Sequence, residues 1–245
     1  MHCVFHGIRF KVNKDWLSGI DSLLFLYTLL VFLPSASYIC TYYTIQQYSK
    51  TNIMSIKFRL TAMQFLQFFI WGAWLISLGG YMGGTLHFEG GQIGAIFATM
   101  GIASLIMPGL MGIIADKWIN AERLYGILHL IGAGALIYAS TATTYSHMYW
   151  AMLLNMLVYM PTLSLANTVS YNALEQYKLD LIKDFPPIRV WGTVGFICAM
   201  WAVDLTGFKT GPAQLYVAAI SAIFLGLYAF SLPGCPPARS EGKTM

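Results

Sequence analysis

The sequence predicts an all-α, polytopic membrane protein. Three observations carry that class: 57% of the residues are hydrophobic, only 10% are charged, and the mean hydropathy is +0.61. A soluble domain carries about a quarter of its residues as charge. A bilayer core of about 30 Å asks for about 20 apolar residues per helix, and uncharged runs of that size recur along most of the chain. Closed barrels, the other spanning architecture, read as short alternating segments and not as continuous apolar runs.

Six spans follow in order: Met63 to Met82, Ile93 to Ala115, Leu124 to Thr144, Met148 to Leu174, Ile188 to Leu205 and Ala213 to Leu232. Charge in the connections supports each one. Lys57 and Arg59 precede span one, Lys117 and Arg123 separate spans two and three, and Lys178 and Lys183 separate spans four and five. The alternate connections "GTLHFEGGQ" and "TYSHM" carry no Lys or Arg, and the one after span five offers only Lys209. By the positive-inside rule both ends of the six-helix unit face the cytoplasm. The net charge of +4 is therefore a topology signal, because its cations sit at helix ends and not in a basic patch with interleaved aromatics. The bilayer is the expected partner, and nucleic acid is not.

Residues 1–53 do not fit this plan. Leu23 to Tyr43 is apolar enough to span, yet a seventh helix would force Arg9, Lys11 and Lys14 outside if Lys57 is inside. A signal peptide, with "LLFLYTLLVFL" as its core and "SAS" as its cleavage site, leaves the next segment starting outside and meets the same conflict. The favoured reading is an N-terminal extension upstream of a start at Met54. Residues 54–233 are then the six-helix unit, and 234–245 a short cytoplasmic tail.

Cys3, Cys40, Cys198 and Cys235 show no metal or disulfide spacing, and His87, His129 and His147 lack the pairing of a ligand set. They read as structural, and no cofactor or metal is expected. An intramembrane enzyme would need a mid-span Ser/His pair, paired carboxylates or a metal cluster, and none is written here.

The stretch "DFPPIRVWGTVGF" raises the sharpest question. An arginine inside a span costs at least about 2.5 kcal/mol at mid-helix, so it faces a cavity or partner unless it can snorkel to headgroups from a helix end. Arg189 is near enough to the end for either. Helical spacing tips the balance, since Arg189, Thr193 and Phe196 share one face that Met200 continues. That stripe offers a cation, a hydroxyl and a ring, suited to a polyhydroxyl group joined to a planar one. Gly192 and Gly195 lie on other faces, where a neighbouring helix can come close.

Four ordered stretches resemble the nucleoside:proton symporters of the major facilitator superfamily: "FLQFFIWGAWL", "GIIADKW", "YMPTLSLANTVSY" and "DFPPIRVWGTVGFICAMW". The likeness runs from Met54 to Pro233 and matches the N-terminal half of that family. It implies a six-helix half of a major facilitator fold, built as a 3+3 inverted repeat, in an inner membrane. It further implies purine and pyrimidine nucleosides and protons as cargo, a second six-helix half as partner, and substrate contacts at Arg189, Thr193 and Phe196. Phe196 would face the base, and Arg189 and Thr193 would offer hydrogen bonds. A sugar:proton symporter half and an inactive fragment or scaffold are the alternatives.

"GIIADKWINAER" resembles the superfamily's loop between spans two and three, which makes Gly112 a close-approach site and Asp116, Lys117 and Arg123 a charge lock. Trp118, Ile119 and Asn120 depart from its usual glycine and basic residues, so the lock reads as weakened. In span four, Pro161 amid Asn155, Thr162, Ser164, Asn167 and Ser170 suggests either a broken helix lining a cavity or hydrogen bonds between helices, the second being favoured. Gln64 and Gln67 in span one are not expected to bind cargo. No carboxylate stands in mid-span as proton coupling requires, and "PGCPPARSEGKTM" departs from the family's longer connector, which reads as a truncation unable to alternate access alone.

Overall fold

The computed structural model describes residues 53–237. The expectations for Leu23 to Tyr43, the basic leader and most of the tail fall outside the described residues.

Seven α-helices and one 3-10 turn make up the described chain. Helix α1 covers residues 53–72, and after a run of turns at 73–77 the chain resumes as α2 (Leu78–Gly84). Then follow α3 (Gly90–Lys117), α4 (Ala121–Ser140), α5 (Tyr145–Gln176), α6 (Leu181–Leu205), the 3-10 turn Phe208–Thr210 and α7 (Ala213–Ala229). Four of these, α3 to α6, are long and apolar enough to cross a membrane. At 17 residues α7 is about 26 Å long.

Spans one and five differ from the sequence expectation, and span four follows the favoured of its two readings. Span one is bent: the Trp74 amide turns to the Trp71 carbonyl at 3.4 Å, a three-residue step, while Ala73 and Leu75 keep four-residue steps to Phe69 and Trp71. The bend follows Gly72, and glycine is an ordinary cause of a kink. Span four is unbroken, because α5 runs 32 residues straight through Pro161. Span five begins seven residues earlier than its apolar run, despite Pro186 and Pro187 in its second turn. The Asp180 carboxylate accepts from the amides of Ile182 and Lys183, and Asp184 accepts from the Asp180 amide at 3.0 Å. Asp184 also meets Lys57 of α1 at 2.7 Å, and the ring of Phe185 lies edge-on to Tyr171 at 4.6 Å. Cap, ion pair and ring contact offset the two ladder bonds that the prolines cannot donate.

The core runs along α4 and α5, which bury 13 and 16 residues respectively. Helix α4 packs on both α5 and α7, and α3 packs on α5. By contrast α3 buries only Ile96, Thr99, Ala103 and Ala115, and α6 only Ile188, Gly192, Gly195, Ala199 and Val203. One end of the bundle gathers the basic connections. There the Glu122 carboxylate accepts from the Cys235 amide at 2.8 Å, Gln176 donates to the Gly234 carbonyl at 2.6 Å, and the Tyr228 hydroxyl donates to the Arg59 carbonyl at 3.2 Å. At the other end Ser77 donates to Gln214 at 2.6 Å, and Lys209 pairs with Asp204.

Helices α1 and α6 touch backbone to backbone. A Cβ at Gly195 would fall 2.2 Å from the Phe65 carbonyl oxygen, and one at Gly72 would fall 2.5 Å from that of Phe196. Gly112, expected as a close-approach site, has nothing within 4 Å of such a Cβ among the described residues, and the same holds for Gly80, Gly101 and Gly109. Its flank is open because α3 packs on the bundle along another stripe.

Gly195→Ala is expected to lower the unfolding temperature of the detergent-purified protein, at a cost of about 1–3 kcal/mol from overpacking. Gly112→Ala is expected to leave that temperature unchanged or raise it, since alanine is the better helix former by about 1 kcal/mol. Equal temperatures for Gly195→Ala and the parent would contradict the backbone contact.

Candidate functional site

The buried residues of α6 form one stripe in steps of three and four, facing α1. Arg189, Thr193, Phe196 and Met200 form the stripe beside it, with Thr193 exposed and the others half-buried. The spacing that joined these residues in the sequence thus joins them in the fold.

Each is met by α1. The Arg189 guanidinium carbon lies 4.1 Å from the centre of the Phe68 ring. Phe196 meets Trp71 edge-on at 6.2 Å between centroids, and Trp71 in turn lies 6.1 Å from Phe68 and 6.0 Å from Tyr159. The Trp71 Nε1 is buried and has no hydrogen-bond partner among the described residues. Arg189 and Thr193 likewise show no side-chain hydrogen bond or ion pair among those residues. The wall therefore presents a cation and a free hydroxyl along a surface floored by rings.

On the buried side of α1, Gln67 is the hub of a polar network. The Thr162 hydroxyl donates to the Tyr159 carbonyl at 2.6 Å, so its lone pair accepts from Gln67 Nε2 at 2.9 Å. That fixes the amide's orientation and leaves Gln67 Oε1 to accept from the Tyr125 hydroxyl at 2.6 Å and from His129 Nε2 at 2.8 Å. The Tyr159 hydroxyl donates to the Gln67 backbone carbonyl at 2.6 Å. One turn away Gln64 donates to Ser170 at 3.3 Å. Thr162 and Ser170, and Pro161 between Tyr159 and Thr162, are all buried, and Thr162 and Ser170 serve contacts between helices, while Ser164 is exposed and bonds the Pro161 carbonyl of its own helix. His129 is a structural residue here, and Gln67 a bracing one.

A cavity of about 590 Å³ continues the stripe away from the basic end, lined by Gly72, Ile76, Met200, Trp201, Asp204 and Lys209 among others. Its volume suits a small ligand, but neither Arg189 nor Thr193 lines it. Asp116, Lys117 and Arg123 are exposed, and no ion pair joins them among the described residues. Lys57 of α1 and Asp184 of α6 form a helix-joining ion pair instead. No cluster of metal-ligating side chains occurs among the described residues.

Sequence reasoning missed Phe68, Trp71, Tyr125 and Tyr159, and the buried Glu122, whose oxygens also accept from Asn120 at 3.1 Å. A usable signal existed in "QFLQFFIWGAW", where Phe65, Phe68 and Trp71 recur every three residues beside Gln64 and Gln67 in an apolar span.

Comparison with known proteins finds a match to the family described as Nucleoside H+ symporter over residues 54–245. The chain is 52% identical over 191 residues to the xanthosine permease of Escherichia coli K12, covering 78% of this chain and 46% of that protein. It is 47% identical over 190 residues to the nucleoside permease NupG of the same organism, with the same coverage. A crystal structure of the nucleoside transporter NupG superposes with a TM-score of 0.74 at 46% identity, covering 78% of this chain and 47% of that one. The chain spans about half the length of the curated relatives it matches.

Gln67→Leu strands the Tyr125 hydroxyl and His129 and is expected to destabilise the bundle by about 1–2 kcal/mol. Thermal unfolding in detergent checks it, with Gln67→Glu expected to fall between, since it keeps the acceptor and loses the donor. A Gln67→Leu protein as stable as the parent would show the network to be incidental.

Proposed function

The chain belongs to the nucleoside H+ symporter family, and from that premise we propose that its six spans form the N-terminal, cargo-binding half of a proton-coupled nucleoside transporter. The observation that carries the reading is the wall of Arg189, Thr193 and Phe196 on α6, backed by Phe68 and Trp71. Phe196 stacks on the base. The Arg189 guanidinium and Thr193 hydroxyl donate to oxygen acceptors of the nucleoside, and Thr193 can also accept.

Binding a neutral, polyhydroxylated ligand requires donors that are not already spent on the protein, and both groups meet that requirement. Purine and pyrimidine nucleosides alike present a flat face and a ribose, so this wall by itself recognises the class more than the member. Alternating access needs two halves that rock about a central site, and the open faces of α3 and α6 are where a second six-helix half would seat. Asp116, Lys117 and Arg123, unpaired with one another, are then free to engage that half. By the positive-inside rule both ends of the bundle would face the cytoplasm across an inner membrane, with Lys57, Asp184 and Glu122 at the inner mouth.

Uridine is expected to raise the unfolding temperature of the purified chain in a saturable way, and Arg189→Ala to weaken that protection by about tenfold or more, the worth of a charge-assisted hydrogen bond. Lactose should not compete. Absence of protection at millimolar uridine would contradict the reading, and competition by lactose would move it to sugars.

A further inference from the structure

We propose that Phe68 and Gly192 are positioning residues that seat the Arg189 guanidinium flat on an aromatic face, so that all its N–H donors stay available for cargo. The proposal rests on the nucleoside reading above for its ligand, and on three independent observations for its geometry.

First, the guanidinium carbon stands 4.1 Å from the Phe68 ring centre, the distance of a stacked cation. Second, no protein acceptor takes any Arg189 N–H among the described residues. Of the two carboxylates on the same helix, Asp184 is occupied on both oxygens, by Lys57 at 2.7 Å and by the Asp180 amide at 3.0 Å, and Asp204 pairs with Lys209. Third, the seat depends on a missing side chain. A Cβ at Gly192 would fall 2.7 Å from Phe68 Cδ2 and 2.9 Å from Arg189 Nη1, filling the space in which ring and guanidinium meet.

The chemistry explains why a ring serves better than an acid. A carboxylate partner takes two parallel N–H groups of an arginine and neutralises it. A ring attracts the cation through its face and takes none of the in-plane donors. What remains is an oriented fork of hydrogen-bond donors, suited to a pair of neighbouring neutral oxygens such as vicinal hydroxyls. Phe68 also lies 6.1 Å from Trp71, which meets Phe196 edge-on, so one chain of rings fixes the guanidinium relative to the surface that takes the base. A lysine at 189 could not reproduce the fork.

The test uses the whole chain labelled with ¹⁵N-arginine, which gives few signals because the sequence has five arginines, with Arg189 assigned by its loss in Arg189→Lys. Stacking places the Arg189 side-chain N–H protons in the ring current of Phe68. Phe68→Leu is expected to move those signals and weaken uridine protection about tenfold, while Phe68→Tyr restores both to near the parent. Gly192→Ala is expected to move the same signals. Unfolding temperatures of all variants without ligand control for lost packing. An Arg189 signal unmoved in Phe68→Leu, or unchanged uridine protection in that variant, would overturn the proposal. If the parent does not bind uridine, the nucleoside reading fails, and the arginine signals alone decide the seat.

Discussion

The architecture depends on one constraint: the backbones of α1 and α6 come into direct contact at Gly72 and Gly195. Helices that pack through side chains keep their axes about 8–10 Å apart. In lipid there is little hydrophobic drive between helices, so dispersion at close range and hydrogen bonds hold a bundle together. Glycine permits that range. It also sets register, because with Gly195 against Phe65 and Gly72 against Phe196, Phe68 must come beneath Arg189 and Trp71 beside Phe196.

Helix α1 works with two faces. One carries Phe68 and Trp71 toward α6, and the other carries Gln64 and Gln67 into a network with Tyr125, His129, Tyr159, Thr162 and Ser170. Tyr159 belongs to both, since its hydroxyl holds the Gln67 carbonyl while its ring lies against Trp71. The buried network thereby braces the aromatic surface. At the basic end, Lys57 with Asp184 and Glu122 with the Cys235 amide fasten the first and last described segments to the bundle. Among the described residues the outward surfaces of α3 and α6 stay apolar and uncovered, with Leu105, Ile182 and Trp201 prominent on them.

The helices were legible because each is an apolar run, most of them bounded by charge or glycine, and the stripe on α6 because a 3.6-residue period needs no tertiary information. What the sequence hid is tertiary or local. The bend after Gly72 carries no proline to announce it. Pro186 and Pro187 look like a stop, and only the Asp180 cap and the partner Lys57, over a hundred residues away, let the helix form through them. Pro161 looks like a break, yet Thr162 and Ser164 hydroxyls bond the carbonyls of Tyr159 and Pro161 and the helix continues. Gly112 looked like a contact because a loop motif suggested it, and its flank is open, whereas Gly195, legible as a close-approach site from its face of α6, does meet α1. The ring beneath Arg189 was invisible because Phe68 and Arg189 meet only when the two helices do.

A cation, a hydroxyl and a ring in line describe a nucleoside contact only if that line faces water. The same residues turned toward acyl chains would be an anchor for the helix end and nothing more. Thiol labelling decides between the two. In a background with Cys3, Cys40, Cys198 and Cys235 all replaced by serine, Thr193→Cys is expected to react rapidly with a membrane-impermeant, charged thiol reagent, to be protected by uridine, and to outpace Val190→Cys on the outward surface. Slow labelling at 193, no faster than at 190 and indifferent to uridine, would contradict the account.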